Sequence, residues 1–231
     1  MSLIIAGGKG TRFGAEIPKQ FVEISDKPII YYTLQAFEKS TLVDTIAIVC
    51  IKDWIGYLKE FIDKYYKHSK IEYIIPGGET RFHSIYNGVS FFKDILKKDD
   101  IITIHDAVRP FITVEMLESS ISVAKEYGAS LAVASCYDTM YISENHKDIV
   151  GIYPRENIYK GQTPESMYYS VALNCYQASF EDKQFIDPPT KLLMYMKQRV
   201  GLSEGGQNNI KITTKEDVLA FKMILEQGFF S

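Results

Sequence analysis

Five short segments of this chain hold the side chains best suited to chemistry. The first is Ala6-Gly7-Gly8-Lys9-Gly10-Thr11-Arg12-Phe13-Gly14, followed by Pro18-Lys19-Gln20. Glycines directly after an apolar strand let backbone N–H groups approach a phosphate closely, and Arg12 and Lys19 add two cations. A glycine-rich turn without a ligand is the lesser reading, given the Arg and Lys beside it. Two familiar phosphate motifs do not fit: Lys9 is misplaced for GxxxxGK[ST], and Phe13 stands where a GxGxxG fingerprint needs its third glycine. The second segment, Gly77-Gly78-Glu79-Thr80-Arg81-Phe82-His83-Ser84, offers a sharp turn and hydroxyls at a helix start. Alone it reads as a capped helix N-terminus with Arg81 paired to a carboxylate. The third, Ile104-His105-Asp106-Ala107-Val108-Arg109-Pro110, puts an acid just past a buried strand, where Mg²⁺ can bridge protein and phosphate oxygens; His105 reads as a hydrogen-bonded structural residue. The fourth runs from Arg155 to Pro164 and the fifth from Asn208 to Asp217, where Thr214 and Asp217 have capping-box spacing. By themselves the fourth and fifth segments stay ambiguous; cations placed around Asp106 would suit phosphoryl or nucleotidyl transfer, which needs positioned cations more than a base.

The elements that must position these segments follow from periodicity. Strands are expected at Leu3–Ala6, Asp44–Ile51, Ile71–Ile75, Ile101–Ile104 and Ala129–Ser135. Helices are expected at Pro28–Ser40, Trp54–Tyr66, Thr80–Leu96 and Thr113–Tyr127, the last capped by Gly128. This alternation predicts a mainly parallel α/β sheet, with ligands beyond the carboxyl ends of its strands. Residues 136–162 break the pattern and read as an extended β-arm outside the sheet. Helices at Glu165–Ala178 and Pro189–Gln198, a strand at Asn209–Thr213 and a helix at Lys215–Glu226 complete the expectation. No linker divides the chain, so residues 1–231 read as a single domain.

Composition narrows the class. A chain of 231 residues with 46% apolar and 24% charged side chains can bury a sizeable core. A net charge of −3 argues against nucleic-acid binding. No run of eighteen apolar residues suggests a membrane span. The start lacks a signal peptide's basic and apolar regions, and Cys50, Cys136 and Cys175 suit a reducing, cytoplasmic setting. Arginine is scarce: Arg12, Arg81, Arg109, Arg155 and Arg199 are the five present, and four of them fall inside the segments above. Its planar fork suits phosphate.

The segments AGGKGTRFG…PKQF, GGETRFHSIYNG, HDAVRPF, YKGQTPES and NIKITTKEDV, in this order, resemble the cytidylyltransferases that activate polyol phosphates, the families of ribitol-5-phosphate cytidylyltransferase and 2-C-methyl-D-erythritol 4-phosphate cytidylyltransferase. The resemblance implies a Rossmann-like nucleotidyltransferase fold, CTP as substrate, Mg²⁺ as cofactor and a homodimer joined by the arm. Carried over by motif, Arg12, Lys19 and Lys211 are catalytic. Ala6, Gly7, Gly8, Gly10, Gly78, Ser84 and Asp106 bind the nucleotide, with Asp106 also the metal ligand. Arg109, Thr163 and, on the arm, Thr139 and Arg155 hold the acceptor.

For the acceptor, the resemblance points to D-ribitol 5-phosphate. The Tyr159-Lys160-Gly161-Gln162-Thr163-Pro164 form looks like the ribitol-phosphate enzymes of teichoic acid and capsule synthesis, and Asn208 replaces an Asp common in the erythritol-phosphate enzymes. Methylerythritol phosphate, of isoprenoid synthesis, is the alternative. Ile186-Asp187-Pro188-Pro189 departs from both families, which usually have Ser or Thr before the Asp. Two other classes compete. An NAD(P)-dependent reductase lacks its third glycine and ribose acid here. A non-catalytic nucleotide-binding protein has less need for Arg12, Lys19, Asp106 and Lys211 together.

Overall fold

The expected alternation is realised as a seven-stranded sheet with helices on both faces. The structure is a computed structural model and describes residues 1–8 and 17–228. In chain order the elements begin with β1 (Ser2–Ala6), the short pair β2 (Glu23–Ile24) and β3 (Lys27–Pro28), α1 (Ile29–Lys39), β4 (Ile46–Cys50), α2 (Ile55–Tyr65), β5 (Ile71–Pro76) and α3 (Arg81–Phe91). There follow β6 (Ile101–Asp106), α4 (Val114–Tyr127), β7 (Ala129–Ser135), β8 (Met140–Ile142), β9 (Gly151–Tyr153), β10 (Tyr159–Tyr168), α5 (Tyr169–Glu181), α6 (Pro189–Tyr195), β11 (Gly201–Glu204) and α7 (Lys215–Glu226). The main sheet runs β11-β7-β10-β6-β1-β4-β5. Every neighbouring pair in it is parallel except those of β10, which lies antiparallel between β6 and β7.

β1 and β4 are buried at every position, as central strands covered on both faces require. One face packs against α3, α5 and α6 through Phe82, Ile85, Val89, Ala172, Tyr176 and Leu192. The other packs against α1, α2 and α4 through Leu34, Phe37, Leu58, Phe61, Leu117 and Ile121. Helix starts follow their caps: Thr80, Thr113 and Thr214 each accept a first-turn N–H, and Thr214 with Asp217 forms the full capping box expected from spacing. Gly128 ends α4 at φ +92°, a conformation that side chains rarely adopt.

Three expectations are corrected. Glu165–Ala178 is not helical from its start: Glu165–Tyr168 complete β10, and α5 begins at Tyr169. The periodicity there is ambiguous, and pairing with both β6 and β7 decides for strand. The arm is accordingly shorter at its return, because Tyr159–Gly161 already pair with Val133–Ser135. What remains is the hairpin β8–β9, a separate two-stranded sheet. Third, Asn209–Thr213 reads as a strand because Ile210 and Ile212 alternate with polar residues, yet it pairs with no described strand. Ile212 N–H donates to the Val108 carbonyl (2.9 Å), and Asp217 takes the Thr213 N–H. The edge strand is instead β11, beside β7.

Candidate active site

The loops after β1, β4, β5 and β6 surround a cavity of about 690 Å³, a size that holds a nucleotide-sized ligand. Gly7, Gly8, Lys19, Gly78, Ser84, Asp106 and Lys211 all line it, so seven of the residues singled out by sequence meet in one place. Gly10 and Arg12 lie outside the described residues.

One wall is built by close backbone approach. Ser84 Oγ accepts from Gly78 N–H (3.1 Å) and donates to the Thr80 carbonyl (3.0 Å), folding the Gly-Gly turn back onto α3. A Cβ at Gly7 would stand 2.8 Å from Ser84 Oγ, and one at Gly78 would stand 2.4 Å from His83 Cβ. Glycine is therefore required at both positions by the packing. At Gly8 a Cβ would meet nothing within 4 Å among the described residues, and Gly8 lines the cavity. Ala6 stands behind the wall: its carbonyl accepts from buried Gln20 Nε2 (2.6 Å), and Ala6 does not line the cavity.

At the opposite lip sits Asp106, only 5% exposed. Arg81 donates to its Oδ1 from Nε (3.1 Å) and Nη2 (3.0 Å). Lys211 Nζ lies 2.8 Å from Oδ2, and Arg109 Nε lies 3.8 Å from the same atom. Burial alone would raise the Asp106 pKa. The three cations overcome it and hold the carboxyl well below its ordinary range. Lys211 reaches this point because strand-like alternation sends buried Ile212 into the core beneath α7 and Lys211 the other way. Arg109 Nη1 donates to the Asn209 carbonyl (2.8 Å), while its buried Nε has no hydrogen-bond partner among the described residues.

Thr163 lies behind Asp106. β10 bulges between Gly161 and Glu165, which brings the Thr163 hydroxyl to Asp106 N–H (3.2 Å) and His105 Nδ1 (3.1 Å). His105 Nε2 faces the Arg109 carbonyl (3.2 Å), so Nε2 carries the proton and Nδ1 accepts. Burial lowers the His105 pKa to about 4, which keeps the ring neutral and agrees with a structural histidine. Thr139 and Arg155 are exposed on the arm and do not line this cavity; Arg155 donates to the Tyr137 carbonyl. Arg199 lies over the Tyr127 ring, 4.4 Å from its centroid, away from the cavity.

Comparison with known proteins bears on the identity. The model of the IspD family, described as 2-C-methyl-D-erythritol 4-phosphate cytidylyltransferase, matches residues 1–227. The chain belongs to this family. It is 38% identical to a 2-C-methyl-D-erythritol 4-phosphate cytidylyltransferase of Clostridium novyi, over 97% of this chain and 96% of that one. It is 33% identical to a ribitol-5-phosphate cytidylyltransferase of Lactiplantibacillus plantarum, over 97% of each. Its fold matches the crystal structure of 4-diphosphocytidyl-2C-methyl-D-erythritol synthase from Anaerococcus prevotii with a TM-score of 0.82 at 24% identity, over 97% of both chains. The protein is thus a cytidylyltransferase, an enzyme that transfers CMP from CTP.

For the cytidylyltransferase, the structure adds residues that sequence reasoning missed. Arg81 pairs not within its own helix but across the fold, with Asp106 and with Asp187. Lys52 and Asp53, just after β4, also line the cavity. Glu165 is buried on β10 and accepts from Thr190 N–H (2.7 Å) and the Thr190 hydroxyl. A carboxylate in a run of apolar and hydroxyl residues was the one signal available, since an unpaired buried acid is rare.

Burial raises the Glu165 pKa to about 7. The folded state therefore keeps a proton that the unfolded chain loses above its ordinary value of 4.5. The stability from this group is full below that value and is lost as pH rises through the folded pKa. Glu165→Gln keeps the acceptor for Thr190 without the charge. The melting temperature of the variant is expected to exceed that of wild type by more at pH 8 than at pH 5.5. An equal difference at both pH values in thermal melts would refute this.

No helix among the described residues is long and apolar enough to cross a membrane. The three cysteines are buried and unpaired.

Proposed function

We propose that the enzyme transfers CMP to the phosphate of D-ribitol 5-phosphate, forming CDP-ribitol and pyrophosphate. The observation that carries the transfer reading is Asp106, held by three cations at the lip of a glycine-walled cavity. The backbone at Gly7 and Gly8 lies along the triphosphate, and Gly78 and Ser84 meet the base. An acceptor phosphate oxygen attacks the α-phosphorus in line, and the bond to the β-phosphate oxygen breaks. The attacking group is already an anion, so no base is required. Negative charge grows on the α-phosphate and on the departing pyrophosphate. Lys19 and Lys211 stabilise it from the cavity wall, with Arg12 assigned the same role by its motif. Arg109 is assigned the acceptor phosphate by its motif.

Mg²⁺ fits this site in one way. Among the described residues no group of three or more His, Cys, Asp or Glu side chains is placed to hold a metal. Mg²⁺ commonly takes one or two carboxylates and completes its shell with phosphates and water, and Asp106 is a carboxylate so placed. When bound, the ion would neutralise phosphate charge.

Two features support the pentitol acceptor: the Tyr159–Pro164 sequence form, and similarity along the whole chain to the L. plantarum ribitol-5-phosphate enzyme. The higher identity to the C. novyi enzyme favours methylerythritol 4-phosphate as the second reading. Asn208 is exposed and outside the cavity lining, so its difference from Asp carries little weight either way. A pyrophosphate-release assay with CTP, Mg²⁺ and each acceptor decides. Faster turnover of methylerythritol 4-phosphate would replace the first reading by the second.

The arm supports a homodimer. Tyr137, Met140, Tyr141, Ile149, Val150, Ile152 and Tyr153 are all exposed on it, and a two-stranded hairpin is marginal alone. A second copy covering this patch would bring Thr139 and Arg155 to its partner's acceptor site. Ile152→Asp with Tyr141→Asp is expected to shift sedimentation from dimer to monomer and to raise KM for the acceptor more than for CTP. A wild type that sediments as a monomer would rule the dimer out.

A further inference from the structure

The ion pair between Arg81 and Asp187 joins two parts of the chain that the transfer reading leaves unconnected. Arg81 opens α3, directly after the turn that meets the base. Asp187 lies between α5 and α6, and Nη1 of Arg81 approaches its Oδ1 to 2.5 Å. The other edge of the same guanidinium, Nε and Nη2, rests on Asp106 Oδ1. A guanidinium is planar and rigid, so fixing one edge fixes the direction of the other.

The position of Asp187 is itself determined. Three residues on, Thr190 is held by its N–H and hydroxyl to the Glu165 carboxylate on β10. Two residues before, Phe185 packs on His83 (4.6 Å between ring centroids) and Phe82 (5.4 Å). The segment is therefore fastened to the central sheet at one end and to α3 at the other. Asp187 itself is exposed, with 35% of its side chain open, and belongs to none of the hydrophobic clusters. Packing does not require an acid there.

We propose that Asp187 is a positioning residue for cytidylyl transfer: seated through Thr190 and Glu165, it aims the Arg81 guanidinium at Asp106 and so orients the carboxylate that meets the nucleotide phosphates. The Glu165–Thr190 contact and the Asp187–Arg81–Asp106 contacts, joined by the short stretch of chain from Asp187 to Thr190, lead from the middle of the sheet to the cavity. The inference rests on the role given to Asp106 above and not on which acceptor is used.

The test is a double-mutant cycle in the full-length enzyme, with whichever of the two acceptors the wild type turns over. Asp187→Asn is expected to lower kcat about 10-fold, with KM for CTP within about 2-fold of wild type. Thr190→Val, which releases the seat, should give a smaller loss of the same kind. The double variant should be no slower than Asp187→Asn alone, because both changes act through Arg81. Asp187→Glu should restore part of kcat. Thermal melts of all variants separate these effects from unfolding. Wild-type kcat in Asp187→Asn, or losses that multiply in the double variant, would overturn the proposal. Asp106→Asn in the same assay separates the two readings. If it is active, the role of Asp106 fails; if it is inactive while Asp187→Asn is unaffected, only the role of Asp187 fails.

Discussion

Replacing Lys211 by alanine is expected to lower kcat at least about 100-fold while the protein stays folded. Its ammonium is 2.8 Å from Asp106 Oδ2, faces the cavity and is about one-third exposed. Removing it leaves Asp106 still paired with Arg81 and Arg109, so no buried charge is stranded. The stability cost is therefore small, about 1 kcal/mol or less for a pair so open to solvent. The catalytic cost is larger, because in-line displacement at the α-phosphorus builds charge on oxygens that this cation would meet. Steady-state kinetics with saturating CTP, beside circular dichroism, measure both. Near-wild-type turnover in Lys211→Ala would remove it from the catalytic set. Lys19→Ala is expected to behave in the same way.

Asp106→Asn should be the most damaging single change in both respects. An amide presents one acceptor and no charge to three cations. Arg81 retains Asp187, but Arg109 loses its one carboxylate partner among the described residues while only 13% exposed. Stranding a buried cation costs about 3–5 kcal/mol at the upper end; partial solvent access and the Asn209 carbonyl reduce this to about 2 kcal/mol. Activity should fall by about 10²–10³ at a temperature where the variant is folded. Urea unfolding at neutral pH measures the first effect and single-turnover kinetics the second. A variant of wild-type stability would show that the cluster contributes nothing net to folding. A variant of wild-type rate would show that the carboxylate does not act in transfer.

The α/β architecture was legible because it rests on local signals. β1 and β6 are short apolar runs closed by glycine or acid, and α1, α3 and α4 carry helical periodicity with Pro or Thr at their starts. β10 was not legible as a strand beyond Gln162. Its Glu165–Tyr168 half is held by partners about 35 to 65 residues earlier in the chain, and a charged residue at its centre disguises it. The same limit explains Asn209–Thr213, which has the alternation of a strand and no partner to make it one. At the site, glycines and cations in motifs were found by type and order. Asp187 and Glu165 were passed over as functional residues because neither forms a local pattern.

The sequence by itself determined the family and the class of reaction, and it singled out the cations proposed to serve it, since five ordered motifs and the sparse arginines are properties of the chain alone. Only the tertiary structure decided which charges meet. Asp106 lies 25 residues from Arg81 and 105 from Lys211, and Arg81 lies 106 from Asp187. Such pairs are set by where strands sit in the sheet. An ion pair acts over a few ångströms, and no periodicity along the chain reports that distance.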